Sequence, residues 1–523
     1  MELERSYRNL TRRKGKAVSQ TTLEEDLNVP DQKPDIFRIV HRQGEFRPDE
    51  TRIEAGKVKV RGIFLYRILY IGENHDRTAE VLEGSIPVDE TVFLNELEEG
   101  DLLDFTWCVE DLHASAIHSR KANLKCVLEF SAEGFREQPV PLVQQPEEQQ
   151  DLYCKTEMVH LQQEIIHKKD TLRVREDLNL PPGKPNIRRI IWKEARLQGT
   201  ELRQEEGRLS VKGELNVFFL YESDQNDGRI QRMEQSIPFR NEVECEECHA
   251  ELFGCGNVSL QRSDMELQPD YDGEPRMVRI DAVLELALRY FEDRDCEILS
   301  DAYSLSREVI PKLQTCVWEF VSRTSDSRAR VSGRMKLEET DPKLLQVLAS
   351  GTELHADYTE QNEQGLLIQG MLELWVLYAA EDDSQPLACA ARSFPFEHTV
   401  ELPDAGISEE AQIRLGIDQL TVSMLDAKEL EMKAAIQVQT LLSCPKELCL
   451  VEDLEEGPLD AERIRKLPGM VIHIVQPGES LWEIAKSHAA ACHDVAELNG
   501  LGDGEPEPGS KLLLVKGMTG MVS

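Results

Sequence analysis

Between Arg208 and Tyr221 the chain reads RLSVKGELNVFFLY, in which Leu209 and Val211, then Leu215, Val217 and Phe219, alternate with other residues. Alternation of period two puts one set of side chains on one face. The segment therefore predicts a half-buried strand, with Gly213 at a bulge or a close backbone approach. KVKVRGIFLY from Lys57 and LLIQGMLELWVLY from Leu366 repeat the order, and LKCVLEFSA from Leu124, VRIDAVLELALRYF from Val278 and MKAAIQVQTLL from Met432 predict further strands. Ahead of Arg208, KPNIRRIIW carries Ile187, Ile190 and Ile191 at i, i+3 and i+4 behind Pro185. That spacing predicts a short helix with one buried face.

These segments recur because the chain repeats itself. EDLNVPDQKPDIFRIV begins at Glu25 and EDLNLPPGKPNIRRII at Glu176, 151 residues later. The same offset carries Val60-Arg61-Gly62 onto Val211-Lys212-Gly213, Leu69-Tyr70 onto Leu220-Tyr221, and Ser85-Ile86-Pro87 onto Ser236-Ile237-Pro238. A third copy lies 157 residues further on: Pro185 lands on Pro342, Gly213 on Gly370, Leu220-Tyr221 on Leu377-Tyr378, and Ser236 to Phe239 on Ser393 to Phe396. It lacks the Glu-Asp-Leu-Asn lead-in. A period of this length is a whole domain rather than a solenoid unit. The expected fold is mainly β with short helices: three tandem sandwich-like repeats at 17–135, 153–308 and 309–445, then a small βααβ module at 470–517. Residues 136–152, rich in Pro, Gln and Glu, and the charged stretch 446–469 read as extended linkers, the second a tether that gives the last module reach.

Across 523 residues, 98 acidic and 60 basic side chains leave a net charge of −38. Such a field repels phosphate and argues against nucleic acid as a partner. The longest apolar run, Ile63 to Ile71, is interrupted by Arg67, so no transmembrane segment is expected. The first residues lack the apolar core of a secretory signal, which points to synthesis ending in the cytoplasm. Residues 1–16 nevertheless hold Arg5, Arg8, Arg12, Arg13, Lys14 and Lys16 against Glu2 and Glu4. They read as a solvated basic tail, or as one that meets an anionic lipid or an acidic partner.

The twelve cysteines have no disulfide-framework spacing and read as small buried hydrophobes. Cys245-Glu246-Glu247-Cys248-His249 spells a haem-attachment pattern, and Cys255 lies near, but no second Cys/His pair follows at finger spacing. These are read as loop cysteines, with no metal and no cofactor expected. No nucleophile elbow, zinc helix, P-loop or dinucleotide fingerprint is present, so a non-enzyme is expected.

The sharpest local pattern is VIHIVQPGESLWEIAKSHAAACHDVAELNGLGDGEPEPGSKLLLV from Val471. An alternating strand meets a Pro477-Gly478 turn, then a helix on Leu481, Trp482, Ile484 and Ala485. A second helix with Val495, Ala496 and Leu498 inward stops at Asn499-Gly500, and Pro508-Gly509 turns into a closing strand. Trp482 is expected in the module's own core.

Pro477 through Ala485, Leu498-Asn499 and Pro508 through Leu512 closely resemble the LysM module, which binds N-acetylglucosamine-containing glycans such as peptidoglycan in a groove between two loops. The resemblance implies a site made of Gly478, Glu479, Ser480 and Leu481 on one side and Asn499, Gly500, Leu501 and Pro508 on the other. There Gly and Pro turns expose amides to the N-acetyl group and Leu481 forms an apolar floor. Seven acids against three bases across the module weaken attraction to an anionic wall polymer. The repeats, with Leu-Pro-x-x-Lys-Pro-x-Ile-x-x-Ile, a strand ending Leu-Tyr, and Ser-Ile-Pro-Phe, resemble the SPOCS domain of endospore-forming Firmicutes. Tandem SPOCS domains ending in LysM are similar to SipL-type spore coat morphogenetic proteins. That resemblance implies a mother-cell cytoplasmic adaptor at the outer forespore membrane, partnered with the coat's basement-layer ATPase. In the cytoplasm LysM would meet a protein or a lipid-linked N-acetylglucosamine glycan precursor; the alternatives are a wall-glycan-binding protein exported by a non-classical route and, third, a hydrolase with an unrecognised site.

Overall fold

The computed structural model describes residues 3–75, 77–144, 152–225, 230–362, 364–382, 384–401, 409–502 and 504–516. Repeat 1 comprises β1 (Arg5–Asn28), β2 (Ile36–Glu54), β3 (Lys57–Gly72), β4 (Ala79–Phe93), β5 (Leu102–His118) and β6 (Lys121–Val143). Repeat 2 comprises β7 (Leu152–Asn179), β8 (Ile187–Glu205), β9 (Arg208–Ser223), β10 (Ile230–Glu244), β11 (Phe253–Gln268) and β12 (Met277–Ser304). Repeat 3 comprises β13 (Glu308–Lys336), β14 (Leu344–Asn362), β15 (Gly365–Ala380), β16 (Leu387–Glu401), β17 (Glu410–Met424) and β18 (Glu429–Gly457). Each repeat forms two three-stranded antiparallel sheets, ordered β2-β3-β4 and β1-β6-β5 in the first and equivalently in the others. Val58, Val60 and Phe64 of β3 meet Leu124, Leu128 and Phe130 of β6 in one core, so each repeat is a β sandwich.

The expected short helix is strand instead. Ile187 and Ile190 pack in the sandwich core, whereas Ile191 and Trp192 pack in a separate cluster on the other face. The pairing of β8 with β9 shifts register between Ile187 and Arg189 and again between Ile190 and Trp192. A bulge adds a residue to the period of two, and burial of both faces makes consecutive residues apolar; together they imitate helical spacing. The proline that precedes it belongs to a clamped turn. Tyr70, Tyr221 and Tyr378 donate their hydroxyls to the carbonyls of Pro34, Pro185 and Pro342, each at 3.2 Å. The repeated Leu-Tyr motif and the proline of Lys-Pro, which in the third repeat is Asp341-Pro342, are thus two halves of one contact. The repeated glycine meets its expectation: Gly62, Gly213 and Gly370 each lie opposite a register shift in the neighbouring strand, where a Cβ would strike backbone or a phenylalanine ring.

The three repeats close around a pseudo-threefold axis. Val40, Ile191 and Leu348, with Leu69, Leu220 and Leu377 and with Ala79, Ile230 and Leu387, are three sets of equivalent residues in a single cluster. The long strands continue past their sandwiches as three two-stranded ribbons, joined through Leu10, Val140, Leu161, Ile298, Trp318 and Leu450. This revises the expected boundaries. The basic segment is the start of β1, paired from Arg5↔Val143 onward, with Arg5 reaching Asp453 at 3.3 Å and Arg13 bridging Glu133 and Glu410. The first linker is strand as far as Val143, with 145–151 outside the described residues, and the second is strand as far as Gly457, followed by α1 (Ala461–Lys466). Apolar residues in these ribbons are buried only because the other repeats cover them.

Candidate recognition site: the C-terminal module and its contact with repeat 2

The C-terminal module consists of β19 (Met470–Ile474), α2 (Leu481–Ser487), α3 (Cys492–Asn499) and β20 (Lys511–Val515), with β19 and β20 antiparallel. Ser480 caps α2: its hydroxyl accepts the Glu483 amide at 3.3 Å while the Glu483 carboxylate accepts the Ser480 amide at 3.2 Å. Gly500 ends α3 in the left-handed conformation, and Gly478 turns the first loop at φ 90°. Glu479 braces that loop by accepting from the Gln476 amide at 2.8 Å and contacting His473 at 2.7 Å. These two contacts, the amide first, hold its carboxyl below the ordinary value.

The two loops expected to flank a groove are joined to each other. Gly509 donates to the Val475 carbonyl at 2.8 Å, and the Leu481 amide donates to the Glu505 carboxylate at 2.7 Å. Gly478, Gly500 and Pro508 lie exposed on them. Leu481 does not floor a groove; it is buried with Val475, Ile484, Val495 and Leu512 in the module core, against which Leu501 packs. Asn499 is committed to the fold, donating to the Val495 and Leu513 carbonyls and accepting the Leu513 amide, at 2.7–2.8 Å. Leu498, expected inward, is half exposed.

Trp482 also departs from expectation. It leaves the module core and packs edge-on against Tyr303 of β12, ring centroids 4.8 Å apart, with its indole N–H donated to Asp301 at 2.7 Å. Lys486, one turn on, reaches the same carboxylate at 2.6 Å. The module therefore rests on the ribbon of repeat 2. A tryptophan at i and a lysine at i+4 give only a helix face, so the chain order carried no sign of this partner.

Residues 35–117, 186–267 and 343–425 match the family described as SipL, SPOCS domain, and residues 473–515 match the LysM domain. The chain is a three-SPOCS protein with a C-terminal LysM domain. No curated protein and no solved structure matches it. The SPOCS matches run essentially from β2 to β5, β8 to β11 and β14 to β17, leaving the paired flanking strands outside. Both SPOCS and LysM are binding domains rather than catalytic ones, and together they fit a sporulation coat protein that carries a glycan-binding module. No helix of the described residues is long and apolar enough to cross a membrane.

Elsewhere in the SPOCS repeats, Cys245 and Cys248 are core residues. They make with Gly207 the same backbone turn that Leu94 and Leu97 make with Gly56, and burial pushes the Cys248 thiol up to about 12. Among the described residues, Cys108, Glu110 and Glu129 stand close enough to share a cation. Burial, then Glu110, raises the Cys108 thiol to about 12, which opposes the thiolate a soft metal needs.

Proposed function

We propose that this protein is a non-enzymatic adaptor in spore coat assembly, which docks at the outer forespore membrane from the mother-cell cytoplasm and binds the coat's basement-layer ATPase, with LysM as the recognition domain. The observation that carries this reading is the construction of the chain: three SPOCS repeats interlocked through shared cores, with a LysM domain seated on one of them and its turns at Gly478, Gly500 and Pro508 outward. A body of this kind offers a fixed frame and broad surface, the properties an assembly factor uses.

Commitment of Leu481, Asn499 and the Leu481 amide within the domain favours a protein surface over an N-acetyl pocket as what LysM meets. Glycan, free or as a lipid-linked precursor, is the second reading, supported by the LysM match itself. The test is binding of the purified full chain to the purified ATPase, challenged with N-acetylglucosamine oligomers, beside a fluorescent fusion followed through sporulation. Binding indifferent to sugar, with a fluorescent shell on the forespore, supports the adaptor. Sugar binding without ATPase binding transfers the conclusion to the glycan reading.

A further inference from the structure

The contact between LysM and repeat 2 uses a tyrosine that repeat 3 does not have, and an aspartate that in repeat 3 is already taken. Tyr303 pairs in register with Tyr153, their rings stacked at 5.0 Å, and Asp301 pairs with Lys155. At the equivalent steps of the third ribbon Glu455 pairs with Ile310 and Asp453 with Lys312. Asp453 is moreover already engaged by Arg5 of repeat 1. A LysM helix placed there would meet a paired carboxylate and, where the aromatic ring should be, a second negative charge. The specificity lies in Tyr303, replaced by Glu455 in repeat 3, and in Asp301, whose counterpart Asp453 is held by Arg5.

Polar groups are matched across the contact. The Asp301 carboxylate receives the indole N–H of Trp482 and the ammonium of Lys486, which lie on one face of α2. The Tyr303 hydroxyl donates to the Ala490 carbonyl at 2.9 Å and accepts the Cys492 amide at 3.2 Å, satisfying one backbone group in the turn after α2 and one at the first residue of α3. Leu305 and Ala491 are buried beside them. Matched donors and acceptors around an aromatic contact are the mark of a built interface.

We propose that Asp301 and Tyr303 form a dedicated intramolecular dock for LysM, which holds the domain on repeat 2 with its two loops outward, so that an external partner meets LysM and the SPOCS body as one rigid surface. The proposal is independent of which ligand the loops take.

The five tryptophans, Trp107, Trp192, Trp318, Trp375 and Trp482, allow a direct test in the full chain by fluorine NMR after incorporation of 5-fluorotryptophan. Trp482→Phe assigns the resonance. In the wild type that resonance should be broad and insensitive to solvent deuterium. Asp301→Ala should shift it to a solvent-exposed position and narrow it, with the other four unchanged. Tyr303→Phe, which keeps the ring and removes only the two bonds to the turn, should shift it part of the way. A wild-type Trp482 resonance that is already sharp and solvent-sensitive overturns the dock. So does one that neither variant moves. Should Asp301→Ala disturb all five signals, the Tyr303→Phe spectrum decides between these outcomes.

Discussion

His167 Nε2 lies 3.1 Å from the carboxylate of Asp104, and this contact joins repeat 2 to repeat 1. His167 Nδ1 lies 3.1 Å from Glu164, which also pairs with Arg289 at 2.8 Å, and the Arg289 guanidinium covers the Phe135 ring at 4.3 Å. Three of these four charged groups belong to repeat 2, so Asp104 balances the junction. Burial is the largest single influence on His167 and opposes its charge, but Asp104 and Glu164 together outweigh it and raise the imidazole to about 9.

A histidine raised in the fold stabilises fully below its unfolded value, near 6.5, and loses that contribution as pH rises through about 9. The loss corresponds to up to about 3 kcal/mol. Thermal unfolding followed from pH 6 to pH 9.5 should show a falling midpoint in the wild type and a flatter profile in His167→Gln. Parallel profiles would refute the assignment.

His41 titrates in the opposite sense. It is buried between Trp192 and Trp375, ring centroids 5.2 and 4.3 Å away, and burial first, then Arg42 and Arg196, lowers it to about 3. A neutral buried histidine stabilises above 6.5 and loses that contribution as pH falls toward 3, which amounts to about 2 kcal/mol by pH 5. Replacing His41 with Gln should flatten stability between pH 6.5 and 5 whatever its cost at neutral pH. Denaturant midpoints at the two pH values measure the difference.

The three tyrosine-to-proline-carbonyl bonds should be energetically equivalent. Tyr70→Phe, Tyr221→Phe and Tyr378→Phe each remove one bond of 3.2 Å beneath a clamped turn, at an expected cost of about 1–2 kcal/mol. Hydrogen exchange at the amides of residues 35–36, 186–187 and 343–344 should rise locally in the matching variant. Unchanged exchange in all three would show that the turn does not rely on its tyrosine.

The repeated glycines should not be equivalent. A Cβ at Gly62 would strike the Arg47 carbonyl and one at Gly370 the His355 carbonyl, whereas at Gly213 the nearest atom is the Phe239 ring edge at 2.8 Å. A ring can shift more readily than a strand. Gly62→Ala and Gly370→Ala should therefore cost about 3 kcal/mol or more and Gly213→Ala roughly half as much, as read from thermal midpoints.

Asn499→Ala should unfold LysM selectively. It removes two donated bonds and one accepted bond that pin α3 to β20, an expected loss of about 2–4 kcal/mol in a very small domain. Proteolysis should then degrade residues 470–516 while the SPOCS repeats persist. Survival of the domain with altered ligand binding would instead return Asn499 to the recognition surface.

Legible in the chain alone were the repeats, the central strands of every sandwich, the bulge opposite Gly213 and the βααβ order of LysM with the stop of its second helix at Asn499-Gly500. Each rests on period-two alternation or on turn chemistry confined to a few neighbouring residues, where local sterics decide the backbone. The tertiary structure alone decided where Ile191, Trp482 and the basic residues of β1 belong. Ile191 imitates a helix because its strand is bulged and covered on both faces; Trp482 lies on an apolar helix face but serves a neighbouring repeat; and Arg5 and Arg13 are matched by carboxylates of repeat 3 more than 390 positions away. A side chain's periodicity records that it is buried, not what buries it, and here much of the covering surface is made only when the three repeats meet.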